Sequence, residues 1–314
     1  LQNKNEIQPV RWAFLAGLID GDGSINIRYS DGCYQLTSCI YSTSKKLMDW
    51  LTEVFGSQYR EIPTEGNRKQ RYSWYTSQKD ILPNLVPYLI LKKQQAEAAV
   101  LFDNLGNERN PLGRAELMRD IQAANAFYVP ANKQEVDESR KNPIAPTKLD
   151  YSYLAGLFDA EGSFGIQKRK KKGNGSYTSC ARISNTDNRA FLWIVPRFGG
   201  RFSITNRKDK NEGTWTLSGA QGLKGRKDRE NKLLALVPYL VLKRERAVLF
   251  MEWVRNNPSM SKEQKRAAFL EMKALNQRGI SPETNTVGCS ENEQMIESDL
   301  IGDYESALLV TATA

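Results

Sequence analysis

The chain has 314 residues, with 45 Lys or Arg, 36 Asp or Glu and no His. The missing histidine excludes Ser-His-Asp hydrolysis, His-dependent nuclease chemistry and His-ligated zinc within these residues. Seven acidic and no basic residues lie between Glu283 and Ala314, so the preceding body sets 45 basic against 29 acidic residues, a charge of +16. Such a body points to a polyanionic partner, because each cation that meets a phosphate releases counterions. The cysteines Cys33, Cys39, Cys180 and Cys289 form no CxxC pair, which fits a reduced intracellular compartment. No apolar run reaches transmembrane length and no signal peptide is visible. The reduced compartment expected is the mitochondrion or another organelle, or a bacterial cytoplasm.

In chain order, Trp12 to Asp20 is apolar on most faces and predicts a helix buried between two neighbours. Ser24 to Ser30 alternates, Asp31-Gly32 is a hairpin signal, and Tyr34 to Thr43 continues as a strand. Ser44 is the expected N-cap of a helix through Phe55 that stops at Gly56. Two strands follow near Gln58 to Ile62 and Gln70 to Ser77, then a long helix from about Pro87 to Leu105. The polar stretch 129–150, with Pro130, Pro143 and Pro146, reads as a linker. The order then repeats, with strands at Phe164 to Lys168, Tyr177 to Ile183, Arg201 to Asn206 and Thr214 to Leu217. Inserted residues in this second copy fall mostly in basic loops at 168–175 and 207–228. After Gly279 the chain reads as a weakly ordered acidic tail that could hold a short helix near Met295 to Ile301. The expected domains are 1–128, the linker, 151–282 and the tail 283–314. The fold class is α+β: two pseudo-symmetric αββαββα repeats, each with a four-stranded antiparallel saddle.

The strongest signal is a duplicated phrase. Leu15-Ala-Gly-Leu-Ile-Asp-Gly-Asp-Gly-Ser24 returns 139 positions later as Leu154-Ala-Gly-Leu-Phe-Asp-Ala-Glu-Gly-Ser163. Val86-Pro-Tyr-Leu-Ile-Leu-Lys92 returns as Val237-Pro-Tyr-Leu-Val-Leu-Lys243. A mid-helix Gly costs about 1 kcal/mol relative to Ala, and close approach of a second helix is the return for it. The two motif helices are therefore expected to pack together and bring one carboxylate from each copy, Asp22 and Glu161, just past their ends. Carboxylates gathered at one place repel unless a cation lies between them, and oxygen ligands of this kind select Mg²⁺. Asp20 and Asp159 are expected to serve the helix end and not the metal.

The paired phrase resembles the signature of the LAGLIDADG homing endonucleases in their single-chain, two-motif form. The resemblance runs from about Val10 to about Leu275. It implies that Asp22 and Glu161 bind divalent metal at the scissile phosphates, with the carbonyls of Gly21 and Ala160 joining the shell. It implies an electrostatic catalytic role for Lys92 and Lys243, and a water-holding role for Ser42 and Asn185. Lys46 and Arg189 are further basic candidates. The implied activity is Mg²⁺-dependent hydrolysis of both strands of a long double-stranded DNA site, leaving 3′ overhangs. Mn²⁺ would substitute, and Ca²⁺ would support binding without cleavage. An intron-encoded RNA maturase, or a DNA-binding protein of the same fold without cleavage, are the alternatives.

Period-two alternation assigns the open sheet faces. The first carries Asn26, Arg28, Ser30, Gln35, Thr37, Cys39, Arg71, Ser73 and Tyr75. The second carries Gln167, Arg169, Thr178, Cys180, Arg182, Arg201, Ser203, Thr214 and Thr216. Side chains of these types hydrogen-bond base edges in a major groove. The Lys168–Lys172 run, with Lys170 and Lys171, suits phosphates. Gln167 stands where the first copy has Arg28, and Arg182 where it has Cys39. A monomer reading a non-palindromic site of roughly 20 bp, about one helical turn per half, is expected.

Overall fold

The computed structural model describes residues 7–63, 69–75, 81–105, 111–126, 131–168, 176–207, 210–217 and 223–277. Arg169, Lys170, Lys171 and the tail 283–314 lie outside the described residues.

The first copy opens with α1 (Pro9–Asp22), whose residues Trp12 to Asp20 are all buried. β1 (Gly23–Ser30) and β2 (Cys33–Ser42) pair antiparallel from Gly23 opposite Ile40 to Ser30 opposite Cys33. Their two-residue turn has positive φ at Asp31 (51°) and Gly32 (79°), the geometry that matches strand twist. α2 (Lys45–Phe55) is capped by the Ser44 hydroxyl, which accepts from Leu47 N–H at 3.3 Å, and ends at Gly56 with φ 78°. β3 (Tyr59–Ile62), β4 (Arg71–Tyr75), α3 (Ile81–Leu85), α4 (Lys93–Asn104) and α5 (Pro111–Ala126) complete it. α6 (Lys133–Ser139) follows.

The second copy runs α7 (Lys148–Glu161), β5 (Gly162–Lys168), β6 (Tyr177–Asn185), α8 (Arg189–Phe198), β7 (Arg201–Arg207), β8 (Lys210–Thr216), α9 (Leu223–Leu236), α10 (Arg244–Asn256) and α11 (Lys262–Asn276). The sheets have matching orders, β1-β2-β4-β3 and β5-β6-β8-β7. One face of each is covered: Ile25, Ile27, Ile40 and Trp74 are buried there, as are Phe164, Ile166, Ile183 and Trp215. The α+β two-copy architecture read from the sequence is the one observed.

α1 and α7 form the spine between the copies. A Cβ on Gly17 would lie 2.0 Å from the Tyr153 carbonyl oxygen, and one on Gly156 would lie 2.0 Å from that of Phe14. The two glycines thus let each backbone touch the other, which any side chain would prevent. Further along, a Cβ on Gly21 would meet the Ala160 Cβ at 2.3 Å, so the helix ends lie side by side.

Four expectations need correction. The motif helices run through Asp22 and Glu161 and do not stop before them; carbonyls in their last turns find a donor described below. The helix expected from Pro87 begins only at Lys93; Val86–Tyr88 is a 3-10 turn and the chain bends after it. The polar linker contains α6, held by a capping box at Asn132 and by buried Val136, and Arg140 Nη1 donates to the Gly200 carbonyl at 2.7 Å. Of the inserted loop 207–228, residues from Leu223 on are helical, as the start of α9.

Candidate active centre and nucleic-acid face

Each motif helix is tied to the lysine-bearing turn of its own copy. The buried Asp20 carboxylate accepts backbone N–H from Ile90 (2.8 Å), Leu91 (3.0 Å) and Lys92 (2.8 Å). Asp159 accepts from Val241 (2.7 Å), Leu242 (2.9 Å) and Lys243 (2.9 Å). These N–H groups belong to the turns that lead into α4 and α10, the last of each being the residue just before the helix. In return the Lys92 ammonium donates to the carbonyls of Ile19 (2.6 Å) and Asp20 (2.8 Å), and Lys243 to those of Phe158 (2.7 Å), Asp159 (2.8 Å) and Ala160 (3.3 Å). These carbonyls lie in the last turns of α1 and α7, so both cations sit at the negative ends of the helix dipoles.

The assignment of Asp20 and Asp159 to the helix end therefore agrees with the geometry. Their capture of a second helix was not visible in the sequence, because the partners are backbone N–H groups about seventy and eighty residues away. The copies also differ at a hydroxyl: Tyr153 on α7 donates its O–H to Asp20 at 2.7 Å, while the corresponding position in α1 is Phe14. Burial raises the pKa of both aspartates, against the backbone N–H groups and lysines that favour their charge.

Asp22 and Glu161 reach solvent at the paired helix ends, yet the packed surroundings desolvate them. Burial raises both pKa values; the charge of Asp22 raises Glu161 further, and Lys92 and Lys243 oppose the rise in each. Burial also lowers Lys92 and brings Lys243 down to about 8, against the pull of nearby carboxylates. Two carboxylates and two lysines thus share one desolvated centre. Among the described residues no group of three or more acidic, His or Cys side chains could hold a metal ion. The donor set still fits a divalent cation, since two carboxylates that oppose each other's charge gain from one, and phosphate and water can supply the remaining oxygens. Gly21 and Ala160 stand beside each other at that point, and the Ala160 carbonyl also meets Lys243.

Ser42 and Asn185 occupy matching positions at the ends of β2 and β6. Each side-chain oxygen accepts a backbone N–H two residues on, from Ser44 (3.1 Å) and Asp187 (2.8 Å). They shape the turns into α2 and α8. Arg189, at the start of α8, forks onto Asp187, which the sequence reading did not single out; no spacing rule marks a carboxylate two residues before a helix start.

The strand register puts the candidate base-reading residues together. Asn26 pairs with Thr37, Arg28 with Gln35 and Ser30 with Cys33. Cys39 lies opposite Tyr75, and Arg71 and Ser73 follow on the same face. On the second sheet Gln167 pairs with Thr178, Arg182 with Thr216, and Thr216 with Arg201, while Thr214 lies between Ser184 and Ser203. Arg28, Gln35, Arg71, Gln167, Arg182 and Arg201 are exposed, and Cys180 is half-buried. Cys39 and Ser73 are corrections: they face the open side but are 2% and 1% exposed, beneath larger neighbours that include Tyr41 and Tyr75. Neither can touch a base from there.

No family model and no curated protein matches the sequence. Solved structures do match the fold. The LAGLIDADG meganuclease I-AabMI bound to uncleaved DNA is 19% identical, with 87% of this chain and 100% of its own covered and a TM-score of 0.58. The LAGLIDADG homing endonuclease I-LtrWI bound to target DNA is 15% identical, covering 85% and 97% with a TM-score of 0.56. I-SmaMI, bound to uncleaved DNA in the presence of calcium ions, is 18% identical, covering 86% and 98% with a TM-score of 0.54. Its duplicated motif, paired sheets and lysine-capped helix ends give this chain the fold of the single-chain LAGLIDADG homing endonucleases.

Proposed function

We propose that the protein is a site-specific endonuclease that binds a long, non-palindromic double-stranded DNA site and hydrolyses one phosphodiester on each strand. The observation that carries this reading is the meeting of Asp22 and Glu161 at two touching helix ends, with a buried lysine from each copy tied to the same ends. Two open faces rich in Arg, Gln and Thr flank that centre, and they carry the base-reading chemistry. The DNA-bound neighbours support the same reading.

Asp22 and Glu161 would hold Mg²⁺, with the Gly21 and Ala160 carbonyls beside them. When bound, the ion supplies an acidified water and a Lewis acid for the leaving oxygen, chemistry that requires no histidine. The side chains of Asp22 and Glu161 orient that site from opposite copies, so one carboxylate belongs to each strand. Lys92 and Lys243, fixed by carbonyls, present positive charge where the phosphate gains negative charge in the transition state. Each lysine serves mainly one strand, and hydrolysis leaves 3′ overhangs. Ca²⁺ held by the same carboxylates would support binding, and its looser coordination would be a poor match for cleavage.

A randomised duplex library tests this. Incubated with the protein and Mg²⁺, it should yield cut molecules with one enriched, asymmetric site and 3′ overhangs. Recovery of bound but uncut DNA in Mg²⁺ would leave a binding protein, and selective retention of structured RNA would favour the maturase.

A further inference from the structure

The turn that leads into α8 carries a device with no counterpart in the first copy. The Arg189 guanidinium makes a two-point contact with Asp187, Nε to Oδ1 at 2.9 Å and Nη2 to Oδ2 at 2.6 Å. The Arg189 backbone N–H also reaches Oδ1 at 3.1 Å, and Asn185 Oδ1 holds the Asp187 N–H at 2.8 Å. The Asp187 side chain is 17% exposed and that of Arg189 36%. A planar guanidinium held by a carboxylate at two points, on a turn that is itself hydrogen-bonded, has its direction set before any ligand arrives. At the corresponding positions the first copy has Ser44 and Lys46; the Ser44 hydroxyl caps α2, and no carboxylate stands there.

The geometry also says which half of the centre this device adjoins. Trp193, on the next turn of α8, packs edge-on against Tyr153 with ring centroids 4.6 Å apart. Tyr153 donates to Asp20, and Asp20 holds Lys92 by its N–H and its ammonium. Through Trp193, α8 thus leans on the tyrosine that reaches the lysine cradle of the opposite copy. Consistent with this, Asp187 is among the charges that favour protonated Lys92, while those acting on Lys243 are Asp159, Asp22, Arg246 and Glu161.

We propose that Asp187 is a positioning residue that holds the Arg189 guanidinium toward the half of the centre that Lys92 serves, so that the two strands are cut by unequal machinery. The inference rests on the endonuclease reading and adds a strand bias to it. Simple charge and positioning make opposite forecasts. Removing a negative charge near a phosphate should tighten binding and speed cleavage if Asp187 only dilutes positive charge. If Asp187 aims Arg189, its loss slows one strand although the site has become more positive.

The experiment uses the full chain, Mg²⁺ and a duplex carrying the site selected from the library, with each strand labelled separately. Asp187→Asn retains an oxygen for the turn but loses the charged fork, and Arg189→Lys retains the charge without the fork. Both should lower the single-turnover rate about tenfold on the strand that Lys92→Met slows, leave the other strand within about twofold, and let nicked plasmid accumulate. DNA affinity measured in Ca²⁺, and the thermal midpoint, should stay at wild-type values; Asp187→Glu should restore part of the lost rate. Equal slowing of both strands, no change, faster cleavage, or slowing of the strand served by Lys243 overturns the proposal. So does a Lys92→Met protein that slows both strands alike. If the wild-type protein cuts no duplex at all, the endonuclease reading fails first, and that result is distinct from cutting with an unmoved strand ratio.

Discussion

At the scale of single residues, Asp20 and Asp159 do the most for the architecture of the centre. Each accepts three backbone N–H groups in a buried setting, so removing the carboxylate leaves unpaired donors behind. Asp159→Ala should lower unfolding free energy by about 3 kcal/mol, and Asp20→Ala by more, since the Tyr153 hydroxyl loses its acceptor too. Chemical denaturation of both variants checks the order; equal losses would contradict the role given to Tyr153. Lys92 and Lys243 donate to helix-end carbonyls, and in the proposed mechanism they would also present charge to the reacting phosphate. Lys92→Met and Lys243→Met should each cost about 1 kcal/mol of stability and about a hundredfold in single-turnover rate on one strand. Their DNA affinity should change by less than about threefold. An affinity loss as large as the rate loss would make them ordinary phosphate contacts.

At the scale of elements, the α1–α7 pair depends on two glycines. Gly17→Ala and Gly156→Ala each place a methyl group 2.0 Å from a carbonyl of the other helix, so the helices must separate. A loss of about 3 kcal/mol or more is expected, read as a lower thermal midpoint. Gly165→Ala is the control: its Cβ would lie 3.7 Å from Cys180 Sγ on the open face, and stability should change by less than about 1 kcal/mol. Much of this was legible in the sequence. Strand alternation from Ser24 to Ser30 fixed the open face, Ser44 and Gly56 marked both ends of α2, and the repeated Ala-Gly pairs announced the helix contact. What stayed hidden depends on tertiary contacts. Alternation cannot say that Cys39 and Ser73 are covered, because period two reports direction and not what lies above a side chain. The late start of α4 is decided by Asp20, far away in sequence, and α6 is stabilised by Val136 docking that a polar composition masks. The Asp187–Arg189 fork was missed for the same reason, since side-chain pairing at a turn leaves no periodic trace.

At the scale of the whole molecule, two copies in one chain give a centre whose halves share a frame without being identical. Tyr153 stands where α1 has Phe14, Glu161 where it has Asp22, and Ala160 where it has Gly21. The open faces diverge more, with exposed Arg182 at the position of covered Cys39 and Gln167 at that of Arg28. One chain should therefore suffice for one DNA site. Analytical ultracentrifugation should find a single protein per duplex, and the selected site should be non-palindromic; a palindrome, or a rate rising as the square of protein concentration, would contradict this. The central claim is that Asp22 and Glu161 perform the cut while the sheets perform the recognition, and one measurement addresses it directly. Asp22→Asn and Glu161→Gln are compared with wild type on the selected duplex, following affinity in Ca²⁺ and single-turnover cleavage in Mg²⁺ on the same preparations. The account predicts wild-type affinity within about threefold and cleavage lowered by about a thousandfold or more in both variants. Cleavage of both strands at the wild-type rate by either variant would contradict it.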